Sequence, residues 1–127
     1  MNDILTMASI IEREAITPEA RRIVSGILWK RIKMGMPLQV DATFAYVNGK
    51  NTYELTAEDL HIDSKYNTYE YKGLPPGPIC NPGLDSIIAT IEPTATPYLY
   101  YLSEKNGTMH YAKTFEEHKM NKVKYMR

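Results

Sequence analysis

The chain has 127 residues, 43% of them hydrophobic and 24% charged, which suits one domain around one modest core and excludes a disordered or membrane-embedded chain. Its 15 basic and 15 acidic residues cancel, so no overall field favours nucleic acid or another polyanion. A lone cysteine, Cys80, excludes an intrachain disulfide and a thiolate zinc site.

Ile4, Met7, Ala8, Ile11 and Ala15 recur at i, i+3, i+4 and i+7, which predicts an amphipathic helix over residues 3–15. Thr17-Pro18 offers an N-cap and a first-turn proline, and Ile23, Val24, Ile27, Leu28 and Ile32 continue a helical stripe to a C-capping Gly35. The basic runs Arg21-Arg22, Lys30-Arg31-Ile32-Lys33 and Lys119 to Arg127 read as solvated helix faces.

From Pro37 to Val47 the apolar residues Leu38, Val40, Ala42, Phe44 and Tyr46 alternate, which predicts a strand or extended segment, with a short helix from Asp41 as the alternative. Asn48-Gly49 marks a turn, and Thr56 to Leu60 a capped helical turn. Glycine, proline and tyrosine dominate 63–83, an ordered loop without regular structure. Leu84 to Ile91 predicts a short helix stopped before Pro93. Tyr98–Ser103 and Met109–Ala112 flank an Asn-Gly turn, the sign of a hairpin. Thr114 with Glu117 forms a capping box for a last helix to about Tyr125. The fold class is therefore α+β: a small single domain, residues 1–127, with an N-terminal helix pair, short strands including a C-terminal hairpin, and a long Gly/Pro-rich loop.

Two carboxylates of the first helix, Glu12 and Glu14, lie about 160° apart around it at ~100° per residue, one on each border of the apolar stripe. They cannot act as a facing pair. Glu14 borders Met7 and Ile11, where desolvation would raise its pKa towards that of a general acid; the competing reading is a surface glutamate paired with Arg13, Arg21 or a neighbouring helix. The stretch Gly73-Leu74-Pro75-Pro76-Gly77-Pro78-Ile79 can stay rigid without a hydrogen-bonded ladder, as a groove wall, a connector or a polyproline ligand. Ten tyrosines against 2 Phe and 1 Trp suit sugar stacking as well as half-buried strands. His61, His110 and His118 show no ligand spacing, so no metal and no cofactor are expected.

Five ordered segments carry a resemblance: Leu5-Thr6-Met7-Ala8-Ser9-Ile10-Ile11-Glu12-Arg13-Glu14; Arg31 to Asp41; Tyr66-Asn67-Thr68-Tyr69; Gly73 to Ile79; and Thr96-Pro97-Tyr98-Leu99-Tyr100. In order and spacing they resemble the catalytic region of the MltG (YceG-like) endolytic murein transglycosylases. The resemblance runs from about residue 3 to the C-terminus and covers only the family's C-terminal part, which suggests an excised domain. It implies a bacterial cell-wall lyase that cuts peptidoglycan strands between N-acetylmuramic acid and N-acetylglucosamine, leaving 1,6-anhydro ends. It implies Glu14 as the single acid/base, with Glu12 as the alternative. Ala15 departs from the hydroxyl residue that often follows that glutamate. Substrate-binding candidates in the matching motifs are Gln39, Asp41, Thr43, Tyr46, Asn67, Thr68 and Tyr69, and the long loop is expected at the active site. The family context further implies a single-pass membrane anchor with the catalytic domain on the extracytoplasmic side, and penicillin-binding synthases as partners of the full-length protein. Rival readings are a hydrolase in which Glu14 works with Asp41 or Asp63, and a glycan-binding or scaffold domain without catalysis.

Overall fold

A computed structural model describes residues 2–50 and 54–125. In chain order they form α1 (Asn2–Glu14), α2 (Pro18–Lys33), 3₁₀ turns at Asp41–Ala45 and Asp59–His61, α3 (Leu84–Ile91), β1 (Tyr100–Ser103), β2 (Met109–Ala112) and α4 (Phe115–Tyr125). The class is α+β, as the sequence predicts. No helix among the described residues is long and apolar enough to cross a membrane.

α1 is the hub, touching α2, α3 and the first 3₁₀ turn. The periodicity predicts one buried stripe, but Thr6, Met7, Ala8, Ser9, Ile10 and Ile11 are all buried in succession. Elements pack on several of its sides, so this turn and a half serves as a core helix. Met7, Ile10, Ile11, Val24 and Leu28 are fully buried, each contributing about 1.5–3 kcal/mol relative to exposure. The buried Ser9 in this run is satisfied both locally and by the loop. Ser9 Oγ donates to the Thr6 carbonyl at 2.7 Å and accepts from the Ile79 N–H at 3.0 Å.

α2 begins on Thr17, whose Oγ1 accepts from Ala20 N at 3.1 Å, with Pro18 in its first turn. It ends at Gly35, which takes a left-handed φ of 74°, while Met36 N–H returns to the Arg31 carbonyl at 2.8 Å. Gly26 lies where the chain after α3 crosses this helix: a Cβ there would stand 2.0 Å from the Thr94 carbonyl oxygen. The basic run is not a solvated face throughout. Trp29 Nε1, Lys30 Nζ and Arg31 Nε donate to the carbonyls of Thr90, Thr96 and Leu99 at 3.1, 2.5 and 3.0 Å, lacing the chain from α3 to β1 along α2.

The alternation after Pro37 holds for three residues. Leu38 and Val40 are buried and Gln39 is exposed, the segment being tied to Thr68 through Gln39 N–H and Val40 N–H at 3.2 and 2.9 Å. From Asp41 the chain coils into a 3₁₀ turn in place of the expected strand, and Thr43 and Phe44 are buried in succession. Thr43 Oγ1 bonds back to the Val40 carbonyl at 2.9 Å, a local bond that competes with extended pairing.

The hairpin pairs Tyr100↔Ala112 through Ser103↔Met109. Gly107 closes it at φ 92°, with Gly107 N–H to the Glu104 carbonyl at 2.9 Å. α4 packs only on this hairpin among the elements with substantial contacts, and none of its residues is buried. Its capping box is half made: Glu117 N–H reaches Thr114 Oγ1 at 3.2 Å, and the threonine hydroxyl turns to the Glu117 carboxylate.

Candidate active site

Where α1 ends, its last residue shares a cleft with five other pieces of chain. Glu14 lines a cleft of about 400 Å³ with Arg31 of α2, the segment containing Leu38, Gln39 and Asp41, Tyr69 of the long loop, the β1 run Leu99–Ser103, and Phe115, His118 and Lys122 of α4. A second depression of about 280 Å³ shares Glu14 and Ser103 with the first and continues to Arg13, Lys105 and Met109. The Glu14 side chain therefore stands at the junction of two hollows.

Tyr101 Oη donates to Glu14 Oε1 at 2.5 Å. Burial pushes the Glu14 carboxyl up to about 7; the Tyr101 bond opposes this, and the negative Asp41 adds to it. A carboxyl in apolar surroundings beside another carboxylate holds its proton near neutrality. Burial and the facing Glu14 charge push the Tyr101 phenol well up, so it stays protonated and remains a donor. Across the cleft Tyr69 Oη donates to Asp41 Oδ1 at 2.5 Å, and burial with the Asp41 charge holds that phenol protonated as well.

Glu12, two residues earlier, has the opposite setting. Its Oε1 accepts from Gly83 N–H at 2.9 Å and Ser86 Oγ at 2.8 Å, and its Oε2 meets Arg21 at 3.2 Å. The Gly83 N–H, the Ser86 hydroxyl and the Arg21 charge hold its carboxyl below the usual range. Gly83 is the N-cap of α3, so Glu12 ties that helix to α1.

The structure brings Gln39, Asp41 and Tyr69 into the cleft with Glu14. It does not bring Thr43, Asn67 or Thr68 there, because all three are buried and bonded within the chain. Asn67 Nδ2 donates to the carbonyls of Leu60 and Ile62 at 3.1 and 2.8 Å, and its Oδ1 receives Tyr69 N–H at 3.0 Å. Thr68 Oγ1 bridges both backbone groups of Val40. These residues set the positions of Tyr69 and of the 38–41 segment. Tyr46 is 53% exposed and stacks on Tyr66 at 5.1 Å, away from the residues that line the cleft. Asp63 is exposed, accepts from Tyr71 Oη and is not among the residues that line the cleft with Glu14. Of the Gly/Pro-rich stretch, Ile79 N–H and Cys80 Sγ are docked on Ser9; from the long loop Tyr69 is the contributor to the cleft.

Sequence reasoning missed Tyr101, Arg31, Tyr100, Phe115, His118 and Lys122 as cleft residues. The tyrosine excess was the available signal for Tyr100 and Tyr101. Nothing in the spacing of Arg31 or of the last helix marks them as facing a cavity.

Gln39 adopts φ 54°, the left-handed region that costs a non-glycine residue roughly 1 kcal/mol. It is held there between two buried neighbours, Leu38 and Val40, at the cleft wall, a place where such strain is often retained.

The sequence model of the YceG-like family matches residues 1–124. An endolytic murein transglycosylase of Bacillus subtilis is 44% identical over 126 residues, 99% of this chain and 35% of the relative. One of Streptococcus pneumoniae is 35% identical over 132 residues, again 99% of this chain and 24% of the relative. The crystal structure of a yceG-like protein from Listeria monocytogenes superposes with a TM-score of 0.83 at 41% identity, covering 92% of this chain and 38% of that one. The chain thus spans about a quarter to a third of the curated relatives it matches. It belongs to the YceG-like family.

Proposed function

We propose that the chain is the catalytic unit of an endolytic peptidoglycan lytic transglycosylase in which Glu14 is the single acid/base. The observation that carries this reading is a carboxyl group with its pKa raised to about 7, bonded to a phenol, at the junction of two hollows. Tyr101 occupies Oε1, which leaves Oε2 to carry the proton. That proton goes to the glycosidic oxygen as the muramyl C1–O4 bond breaks, and the oxocarbenium-like carbon is trapped by the C6 hydroxyl of the same sugar. The Glu14 carboxylate then takes the hydroxyl proton, closing a 1,6-anhydro ring and restoring the acid. The substrate supplies the nucleophile, so one carboxyl suffices where a hydrolase uses two.

Gln39, Asp41 and Tyr69 face the same cleft and are assigned to hold the sugars. In proteins of the relatives' length, this unit would stand outside the cytoplasmic membrane on a single-pass anchor, near penicillin-binding synthases. The test is product analysis on uncrosslinked glycan strands: 1,6-anhydromuramyl ends support the reading, and reducing ends overturn it. One observation favours a hydrolase as second reading, since Asp41 shares the cleft and bears on the Glu14 proton. Reducing ends that disappear with Asp41→Asn would establish it.

A further inference from the structure

We propose that Arg31 and Lys122 form a carboxylate-binding subsite in the cleft, reading the acidic group carried on the muramyl sugar. This rests on the peptidoglycan reading above. Arg31 is 5% exposed, yet none of the ion pairs among the described residues involves it. A buried cation without an anion is costly unless hydrogen bonds and neighbouring dipoles replace its water.

Arg31 has part of that replacement. Nε donates to the Leu99 carbonyl at 3.0 Å, and Nη1 to the carbonyls of Pro37 and Leu38 at 3.0 and 2.9 Å. These bonds fix the plane of the guanidinium and leave its charge uncancelled. Nη2 donates none of these backbone bonds, and Tyr100, which meets the guanidinium through its ring at 4.9 Å and a side-chain hydrogen bond, brings no formal charge. The side chain lines the cleft.

Lys122 reaches the same cleft from α4, also outside every ion pair among the described residues. His118, one turn before it, shows the field that results. Its Nδ1 is buried without a hydrogen-bond partner, and burial, then Lys122 and Arg31, hold the imidazole down to about 4, hence neutral at pH 7. Of the two acids in the cleft, Glu14 keeps its proton to about pH 7 and Asp41 is engaged by Tyr69. A planar carboxylate fits the remaining demand, one oxygen taking the immobile Nη2 arm and the other the mobile ammonium. Two sources carry it: the lactyl group of muramic acid when it bears no peptide, and the acidic residues of an attached peptide stem.

The experiment is calorimetric binding of the Glu14→Gln chain to three preparations of uncrosslinked strand: stems intact, stems removed, and stems intact with all carboxyls amidated. The subsite predicts about tenfold weaker binding of the amidated strand, the size of a charge-assisted hydrogen bond. Whichever of the first two binds more tightly identifies the source. Lys122→Glu, at an exposed position on a helix with no buried residue, should lose about tenfold on carboxylate-bearing strands and nothing on the amidated one, with Lys122→Gln in between. Equal binding of all three strands, an equal loss on all three in Lys122→Glu, or no binding of any strand overturns the subsite. Carboxylate-dependent binding without cleavage by the parent chain would sink the transglycosylase reading and keep the subsite; cleavage blind to carboxylates would do the reverse.

Discussion

Glu12 and Glu14 sit on one turn of one helix, have the same side chain, and end in two different chemistries. On the Glu12 side, α2 and α3 close against α1, and the carboxylate finds a backbone N–H, a hydroxyl and a guanidinium. On the Glu14 side the hairpin supplies one phenol, and the nearby charge acting most strongly is another carboxylate. The first region uses its polar groups to join elements. The second leaves them short of partners: a raised carboxyl, a guanidinium without an anion, an orphaned imidazole nitrogen. Acidity here follows from burial first for Glu14 and from polar partners first for Glu12, and neighbouring elements supply both.

That contrast can be broken most directly through turnover. Glu14→Gln should lower the rate of strand cleavage by about a thousandfold, within the range of a lost general acid, while Glu12→Gln stays within a few-fold of the parent. Similar losses in both variants would erase the division of roles.

Next in size is stability, where the two variants should move in opposite directions. The folded pKa of Glu14 lies above its ordinary value of 4.5, at about 7, so the folded chain binds the extra proton between these values. Its contribution is fully present below about pH 4.5, falls away as pH rises to about 7, and is flat beyond. Glu14→Gln should therefore unfold later than the parent at pH 8, by on the order of 3 kcal/mol, and with no advantage at pH 4. Glu12 is held low, so its contribution is present at neutral pH and lost on acidification through its folded pKa. Glu12→Gln should cost about 1–3 kcal/mol at pH 7, read from denaturant unfolding. On the same packed side, Gly26→Ala forces a Cβ against the Thr94 carbonyl and should cost roughly 1–3 kcal/mol with the pH profile of cleavage unmoved.

The smallest effects concern the profile itself. If protonated Glu14 is the general acid proposed above, kcat/KM should hold below about pH 7 and fall above it. Tyr101→Phe removes the bond that favours the carboxylate and should move the falling limb to higher pH. Asp41→Asn removes the like charge and should move it to lower pH. Limbs that move the same way in both variants would mean that another group controls the profile.

The helices, the hairpin and their caps were legible because each is a local property: Thr17 before Pro18, Gly35 after the stripe, Asn106-Gly107 between two short strands. At Asp41 the structure takes the alternative, a short helical turn, over the strand that the alternation favours, because alternation at Leu38 and Val40 is real and ends only where the Thr43 hydroxyl turns back on Val40. The helical angle between Glu12 and Glu14 set them apart around α1: both border the second hollow, but of the two only Glu14 lines the cleft with Asp41 and Tyr69. It gave no information on Tyr101, which is 87 residues away in sequence from Glu14. Asn67 and Thr68 belong to a motif, and a motif marks residues that shape a site as readily as those that touch a ligand; here both are buried and bonded within the chain.

α4 has no residue in the core. Its rings hold it: Phe115 and His118 against Tyr100 at 5.9 and 5.1 Å, and Tyr125 on His110 at 3.5 Å. Separating such contacts exposes little apolar surface, so detaching this helix takes less free energy than unfolding α1 or α2. Among the helices, amide hydrogen exchange should therefore be fastest along 115–125 and slowest in Thr6–Ile11. The cleft then has one wall built on the buried core of α1 and another held on the hairpin by ring contacts and the Asn121–Tyr111 bond, so a loosening of α4 would widen the cleft and leave the bond between Tyr101 and Glu14 in place.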